Sequence, residues 1–462
     1  MRYVGNRAED VKIAYIGGGS RGWAWGLMSD LAAVDDMSGS VALYDIDRQA
    51  AEKNAVIGNR MKDLEESRSV WTYAAADSLR EALTGADFVV ISILPGTFDE
   101  MESDVHAPEK YGIYQSVGDT AGPGGLMRGL RTIPMFEEIG AAVRDFCPSA
   151  WVINYTNPMT MCVRTLYRVF PQIKAFGCCH EVFGTQKLLA RMLGDMEGIQ
   201  DVERDEIHVN VVGLNHFTWL TQAQYRNQDL FPLYRKFADK YWEEGFGEKA
   251  DENWMNRYFD SRERVKLDLF RRFGVIAAAG DRHLAEFCPG AWYLKDPDTV
   301  HAWRFNLTPV SWRKQDLQNR LARSERLYSG EEAPEIHQTG EEGVQQMRAL
   351  LGLRDLVTNV NIPNRGQIPN LPMDAVVETN AHFCADCVRP VFAGAVPDSV
   401  IPMVGKVCGI QEMVVEAALT RNLELAFQAF LMDPNMNLGM TEARELFDTM
   451  IGNTKGYLGM YF

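Results

Sequence analysis

The stretch "VKIAYIGGGSRGWAWGLMSDLAAV" (residues 11–34) constrains the chain more than any other. Its apolar run over 11–16 predicts a strand, the glycines a tight turn, and the apolar stripe beyond them a helix. The turn fits G-x-G-x-x-G with Gly17, Gly19 and Gly22, in the strand–turn–helix context that a dinucleotide site requires. On that reading Gly17 permits the turn, Gly19 lets a pyrophosphate approach, and Gly22 allows helix–strand packing, with Gly18 and Ser20 completing the loop. The helix N-terminus then faces the anion. The next strand, "GSVALYDID", ends at Asp45, with Asp47 two residues on. An acid there bonds ribose hydroxyls and repels a 2′-phosphate, so NAD is expected, and Asp45 is the better of the two acids. A purely structural glycine turn is the competing reading.

Strand and helix patterns keep alternating: a helix over 48–66, a strand over 86–94, a helix near 129–146, and strands over 150–158 and 173–181. Such alternation implies a parallel sheet covered by helices on both faces. From about residue 200 the pattern changes. "EIHVNVVGLNHFTWLTQAQY" (206–225) reads as antiparallel strands, and long helices follow. Residues 330–345 are loop-like, and 359–373, "NVNIPNRGQIPNLPM", read as irregular extended chain. A chain of 462 residues exceeds what one core supports. We therefore expect residues 1–200 to form a Rossmann-like, doubly wound α/β domain, interleaved with an α+β catalytic domain over 201–462.

The net charge of −16 argues against nucleic acid or an anionic membrane as partner. The N-terminus shows no signal core, and no run approaches the roughly 20 apolar residues of a membrane span. A cytoplasmic protein is expected, whose eight cysteines are free thiols.

Three strand ends carry polar residues that a fold alone does not need. "INYTNP" offers Asn154 and Asn157; "GCCHEVFG" offers Cys178, Cys179, His180 and Glu181; "VVGLNHFTW" offers Asn215 and His216. In a doubly wound sheet ligands sit beyond the carboxyl ends of the strands, so the Asn157 and Cys/His segments would face a nicotinamide. Thiolate and imidazole from separate segments can hold a divalent metal with open positions. The plainer readings stand beside these. A cysteine at an apolar strand end is ordinarily a small buried residue, and His216 alone could be a satisfied core histidine. "AAAGDRHLAEFCPG" (277–290) crowds Asp281, Arg282, His283 and Glu286, and reads by itself as a polar helix start capped by Asp281.

Taken in order, "KIAYIGGGS", "GDTAGPGGLMRGLRTIP", "NYTNP", "CHEV", "GLNHF", "GDRHLAEF" and "NRGQIPNLPMDAVVET" resemble glycoside hydrolase family 4, the NAD- and metal-dependent glycosidases. The resemblance implies a fold like that of lactate and malate dehydrogenases. It also implies NAD⁺ and a divalent metal, usually Mn²⁺, as cofactors. By position it makes Cys179 and His216 metal ligands, His180 the acid that assists the leaving group, and Asn157 a substrate contact. Asp281 is the candidate base, because no tyrosine stands in "AAAGDRHLAEF". Asp119 would line the same cleft, with Glu181 and His283 also near substrate. The implied hydrolysis runs by oxidation at C3, deprotonation at C2, elimination, water addition and re-reduction.

"CHEV" is similar to the branch that acts on unphosphorylated α-glycosides, and the whole chain leans towards α-galacturonidases acting on pectin-derived oligouronides. α-Glucosidase, α-galactosidase and α-glucuronidase are the neighbouring alternatives. A uronate carboxylate calls for arginine, with Arg128, Arg131 and Arg282 available. The rival class is an NAD-dependent 2-hydroxyacid dehydrogenase; a non-enzymatic NAD-sensing module fits the polar clusters less well. The resemblance also implies a homodimer or homotetramer.

Overall fold

The structure is a computed structural model and describes residues 1–247, 258–259 and 261–462. Six parallel strands form its centre, in the spatial order Trp71–Ala75, Met37–Tyr44, Arg7–Ile16, Phe88–Ile91, Trp151–Asn154 and Lys174–Gly177. Numbered along the chain this is the doubly wound order 3-2-1-4-5-6, which reverses direction between Arg7–Ile16 and Phe88–Ile91. Period-2 alternation divides the side chains between two layers. Ile13 and Tyr15 enter one core, and Ala14 and Ile16 the other. Phe88–Ile91 is buried along its whole length, as a strand covered on both faces must be.

The sheet continues past Gly177. Leu356–Pro363 pairs antiparallel with it through Asn361, and Val376–Cys384 and Cys387–Pro390 extend the same edge. The C-terminal half therefore lends strands to the N-terminal sheet, which reaches ten strands with the short Arg2–Val4. Residues 359–363, expected to be irregular, are strand. Their asparagines hide it: Asn359 and Asn361 are buried, and Asn359 bonds the Glu378 carboxylate at 2.6 Å. Buried polar residues break the apolar alternation by which a strand is read.

A second, four-stranded sheet is built on the hairpin Ile207–Leu214/Phe217–Tyr225. Its two-residue turn is Asn215–His216. Among the described residues no helix is long and apolar enough to cross a membrane. The helix expected near 129–146 begins earlier, at Gly122, with a proline in its first turn.

Arg131, on this helix Gly122–Phe146, is fully used. Its Nη1 and Nη2 donate to Asp104 at 3.0 and 2.5 Å, and its Nε donates to the Pro95 carbonyl at 3.3 Å. Both charged side chains are only 1% exposed. Arg131 is thus removed from the arginines available to a substrate. Arg131→Met would strand the Asp104 carboxylate inside the protein and should cost about 3–5 kcal/mol in urea unfolding. A loss below about 1 kcal/mol would contradict a load on this pair.

Candidate functional site

The glycine turn closes as its sequence implies. Both Gly17 and Gly18 donate their amides to the Tyr44 carbonyl at 2.9 Å. Gly17 has φ +92°, and a Cβ there would lie 2.0 Å from the Ser92 carbonyl oxygen, so only glycine fits. Asp45 ends up at the turn: its Oδ2 accepts the Gly19 amide at 2.8 Å. The close approach to the neighbouring strand belongs to Gly18, packed on Leu43; the expected packing residue, Gly22, sits instead against Arg320 of the helix Val310–Ser329. Asn54 escaped the sequence reading. From the helix Arg48–Met61 it donates to the carbonyls of Gly18 and Ser20 at 2.8 and 3.0 Å, securing the turn.

Beyond the ends of the next strands the polar segments converge. Asp119, His216 and His283 place one ligand atom each within 4.8 Å of one another, the kind of donor set that suits a hard or borderline divalent cation. His216 has φ +62° at the tip of its hairpin, an uncommon conformation for a histidine, and is only 4% exposed. Its ring lies 3.9 Å from that of His283, centroid to centroid, and its Nδ1 is 3.3 Å from the Thr120 hydroxyl. That hydroxyl donates to Asp119 at 2.7 Å. Asn157 joins the group by donating to Asp119 Oδ2 at 3.4 Å, while its own Oδ1 is buried without a partner. The Nδ1 atom of His283 is likewise unpartnered.

The electrostatics prepare this group for a cation. Burial, helped by His283, pushes the His216 imidazole down to about 3, so it is neutral and has a lone pair free. Burial would raise Asp119, but His283 and the Arg128 guanidinium outweigh it and hold the carboxyl well below its usual range. Glu181 follows the same direction: against burial, His283 first and the Gly280 amide at 2.7 Å hold it below its ordinary value. Glu181 is also the first residue of the helix Glu181–Glu197, where the helix dipole favours a carboxylate.

The row Cys178–Glu181 runs from a strand end into this helix, and its members separate. Cys178 is packed in the hydrophobic core. Cys179, 6% exposed, faces Glu378, Glu181 and Asn215; burial first, then the two acids, raise its thiol well above the ordinary value. It stands outside the Asp119–His216–His283 group, beside its Glu181 edge. His180 points to solvent on one side, bonds Glu341 at 2.7 Å and stacks near Trp23. Glu341 comes from the 330–345 loop, which no local pattern marks as part of a site.

Asp281 is the residue the structure moves. It does not cap its own helix, whose N-cap is Gly280. Its Oδ1 instead accepts the Lys266 amide at 3.0 Å, in the first turn of the helix Arg264–Phe273. Burial and Glu263 raise its carboxyl to about 6, and the charges that act on it most are those of Glu263 and Lys266. Asp281 and His283 are two residues apart, about 200° around a helix of 3.6 residues per turn, so their side chains leave opposite sides of the helix. Asp281, the base expected from the sequence, thus has one oxygen on the Lys266 amide and its Oδ2 buried without a partner among the described residues.

Glu286, one turn on, was noticed in the sequence only as part of a polar crowd. It is fully buried, and its Oε1 accepts the amides of Val117 and Gly118 at 2.7 and 2.9 Å, holding the loop that carries Asp119. Burial outweighs those two bonds and pushes its carboxyl up from 4.5 to about 8. The folded protein therefore keeps a proton that the unfolded chain releases, and this group lowers stability as pH rises from about 4.5 to about 8. Glu286→Gln keeps the acceptor and should remove that part of the slope in urea melts taken across this range. An unchanged slope would mean that Glu286 is ionised.

Comparison with known proteins agrees with this architecture along the whole chain. The model of the "Family 4 glycosyl hydrolase" matches residues 12–195, and that of its C-terminal domain residues 211–436. The chain is 61% identical to an α-galacturonidase of Thermoanaerobacterium saccharolyticum, covering 99% of this chain and 98% of the relative. The crystal structure of a Bacillus subtilis protein described as a glucosidase superposes with a TM-score of 0.91 at 52% identity, covering 96% of this chain and all of that one. A 6-phospho-α-glucosidase from gut microorganisms, solved with NAD and Mn²⁺, shares the fold at 21% identity, with a TM-score of 0.79 over 98% of this chain and 99% of its own. Matched over both domains and most of its length, the chain belongs to the family 4 glycosyl hydrolases.

Proposed function

We propose that the chain is an α-galacturonidase that removes galacturonate from short α-linked oligouronides, using NAD⁺ and a divalent metal, Mn²⁺ first. The observation that carries this reading is the group Asp119, His216 and His283, lying beyond the same strand ends as a glycine turn bonded to Asp45. The choice of sugar is supported by the 61% identity to a relative of that activity. The residues present fit both cofactors. Asp45 and the Gly17–Gly19 turn make a dinucleotide cradle in which added side chains would collide. The unpartnered Asn157 Oδ1 and His283 Nδ1 supply polar atoms for a cation and its sugar ligands.

When bound, NAD⁺ supplies reversible hydride acceptance at C3 and the metal supplies Lewis acidity at the C2 and C3 oxygens. The protein's own part is to orient and to move protons. Asp119, kept ionised, and neutral His216 would present lone pairs to the cation, with His283 as the third ligand. Cys179, beside Glu181, would join the metal's surroundings at the edge of that group, giving up its proton to the charge of the cation. Asn157, tied to Asp119, positions a sugar hydroxyl. His180 gives its proton to the departing glycosidic oxygen, and Glu341 favours the protonated ring: that hydrogen bond, working against burial, raises the imidazole above its ordinary value. A plain dehydrogenase would use a single His–Asp pair, which leaves the second imidazole of this group without a role.

With digalacturonate, NAD⁺ and Mn²⁺, the protein should release galacturonate without accumulating NADH. Steady NADH formation on a 2-hydroxyacid would make it a dehydrogenase instead. Cys179→Ser should lower kcat/KM at least about 100-fold and abolish the response to Mn²⁺, while NAD⁺ titration by fluorescence stays as in the parent. Mn²⁺-stimulated turnover in that variant would remove Cys179 from the metal's surroundings.

A further inference from the structure

We propose that Arg313, with Arg282 beside it, receives the C6 carboxylate of the sugar and thereby makes the site selective for uronides; this rests on the galacturonidase reading above. Of the arginines near the site, most are spoken for. Arg131 is locked to Asp104, and Arg128 donates its Nε to the Asn157 carbonyl at 3.0 Å. Arg282 commits Nη2 to the Ser116 carbonyl at 2.6 Å and to the Thr308 hydroxyl, yet its buried Nε has no partner.

Arg313 is less engaged still. It stands in the first turn of the helix Val310–Ser329, and its buried Nε has no hydrogen-bond partner. Its guanidinium lies over aromatic rings, 5.3 Å from the centroid of Phe259 and 5.4 Å from that of Trp312. Among the described residues no carboxylate forms an ion pair with it. The Arg282 guanidinium lies over the same Phe259 ring at 4.9 Å. Two guanidinium groups are thus brought to one aromatic ring, each with a desolvated N–H that nothing among the described residues accepts. A buried unmade hydrogen bond is costly, and two like charges side by side add to that cost. Such a pair persists where an anion completes it.

The wider charge balance agrees. Burial lowers both guanidinium groups; Arg313 is the strongest charge acting on Arg282, and the Asp119 carboxylate is the strongest acting on Arg313. Arg313 and Arg282 therefore belong to the surroundings of the Asp119 group. A planar carboxylate offers two oxygens to guanidinium N–H groups, and the flat Phe259 face holds both guanidiniums without competing for those hydrogens. Sequence reasoning passed over Arg313 because it lies in an ordinary amphipathic helix far from every motif.

The test is calorimetric titration of the NAD⁺- and Mn²⁺-loaded protein with galacturonate, galactose and galactose 6-phosphate, in the parent, Arg313→Met and Arg313→Lys. The parent should bind galacturonate at least about 30-fold more tightly than galactose. Arg313→Met should reduce that preference to within about threefold, and should lower kcat/KM on digalacturonate about 100-fold, mainly through KM. Arg313→Lys keeps the charge without the fork and should still lose at least about tenfold in galacturonate affinity. It serves as the decisive variant if the methionine protein fails to fold. A parent that prefers galacturonate while either folded variant keeps that preference overturns the assignment of Arg313 and leaves the galacturonidase reading standing. A parent that prefers galactose or galactose 6-phosphate overturns that reading and the assignment with it.

Discussion

The hydrogen bonds from Val117 and Gly118 to the buried carboxyl of Glu286 join the two halves of the chain at the point where the chemistry gathers. Around them the same seam is sewn twice more: the Ser116 hydroxyl donates to the Arg282 carbonyl, and the Arg282 side chain returns a bond to the Ser116 carbonyl. The loop from the first half brings Asp119. The short helix Asp281–Phe287 from the second half brings His283. Without this seam neither segment has a reason to hold its polar side chain towards the other, since each is a loop or a helix of two turns. Burying such a seam is expensive unless every amide finds an acceptor, and Glu286 supplies one for two of them.

The charge state of the site follows from the same burial. Removing water drives His216 neutral, whereas the His283 ring holds both Asp119 and Glu181 low, with Arg128 acting on Asp119 and the Gly280 amide on Glu181. A protein interior that holds two carboxylates ionised beside a neutral imidazole has the donor chemistry of a cation site before any cation arrives. The cofactor end is built by different means. There, backbone carries the load: a turn that only glycine can make, an aspartate at the next strand's end, and Asn54 holding the turn's carbonyls. The doubly wound order places both ends on one rim of the sheet, because all six parallel strands finish on the same side.

Legibility from sequence followed the range of the interaction concerned. The glycine turn, Asp45 and the strand–helix alternation are local, and the structure repeats them at nearly the expected residues. The antiparallel hairpin was legible too, and its turn residue His216 carried a local mark, being polar between two apolar strands. What sequence did not disclose is long-range. Leu356–Pro363 was missed because its asparagines are satisfied by Glu378 and by the chain around Cys179, partners that no local pattern shows. The placing of Asp281 is likewise long-range: its Oδ1 accepts the Lys266 amide, while His283, two residues on, joins the Asp119 group. Glu341, Asn54 and Arg313 lie in segments without any motif, and only tertiary contact gives them a role.

The central claim is that this site hydrolyses a glycoside through transient oxidation at C3 and loss of the C2 proton, with no net redox change. Hydrolysis of digalacturonate carried out in D2O, with the released monomer examined by proton NMR and mass spectrometry, tests it most directly. The account predicts deuterium at C2 of the galacturonate released from the non-reducing end, at a level set by exchange with solvent. Full retention of protium at C2 with normal sugar release would contradict it.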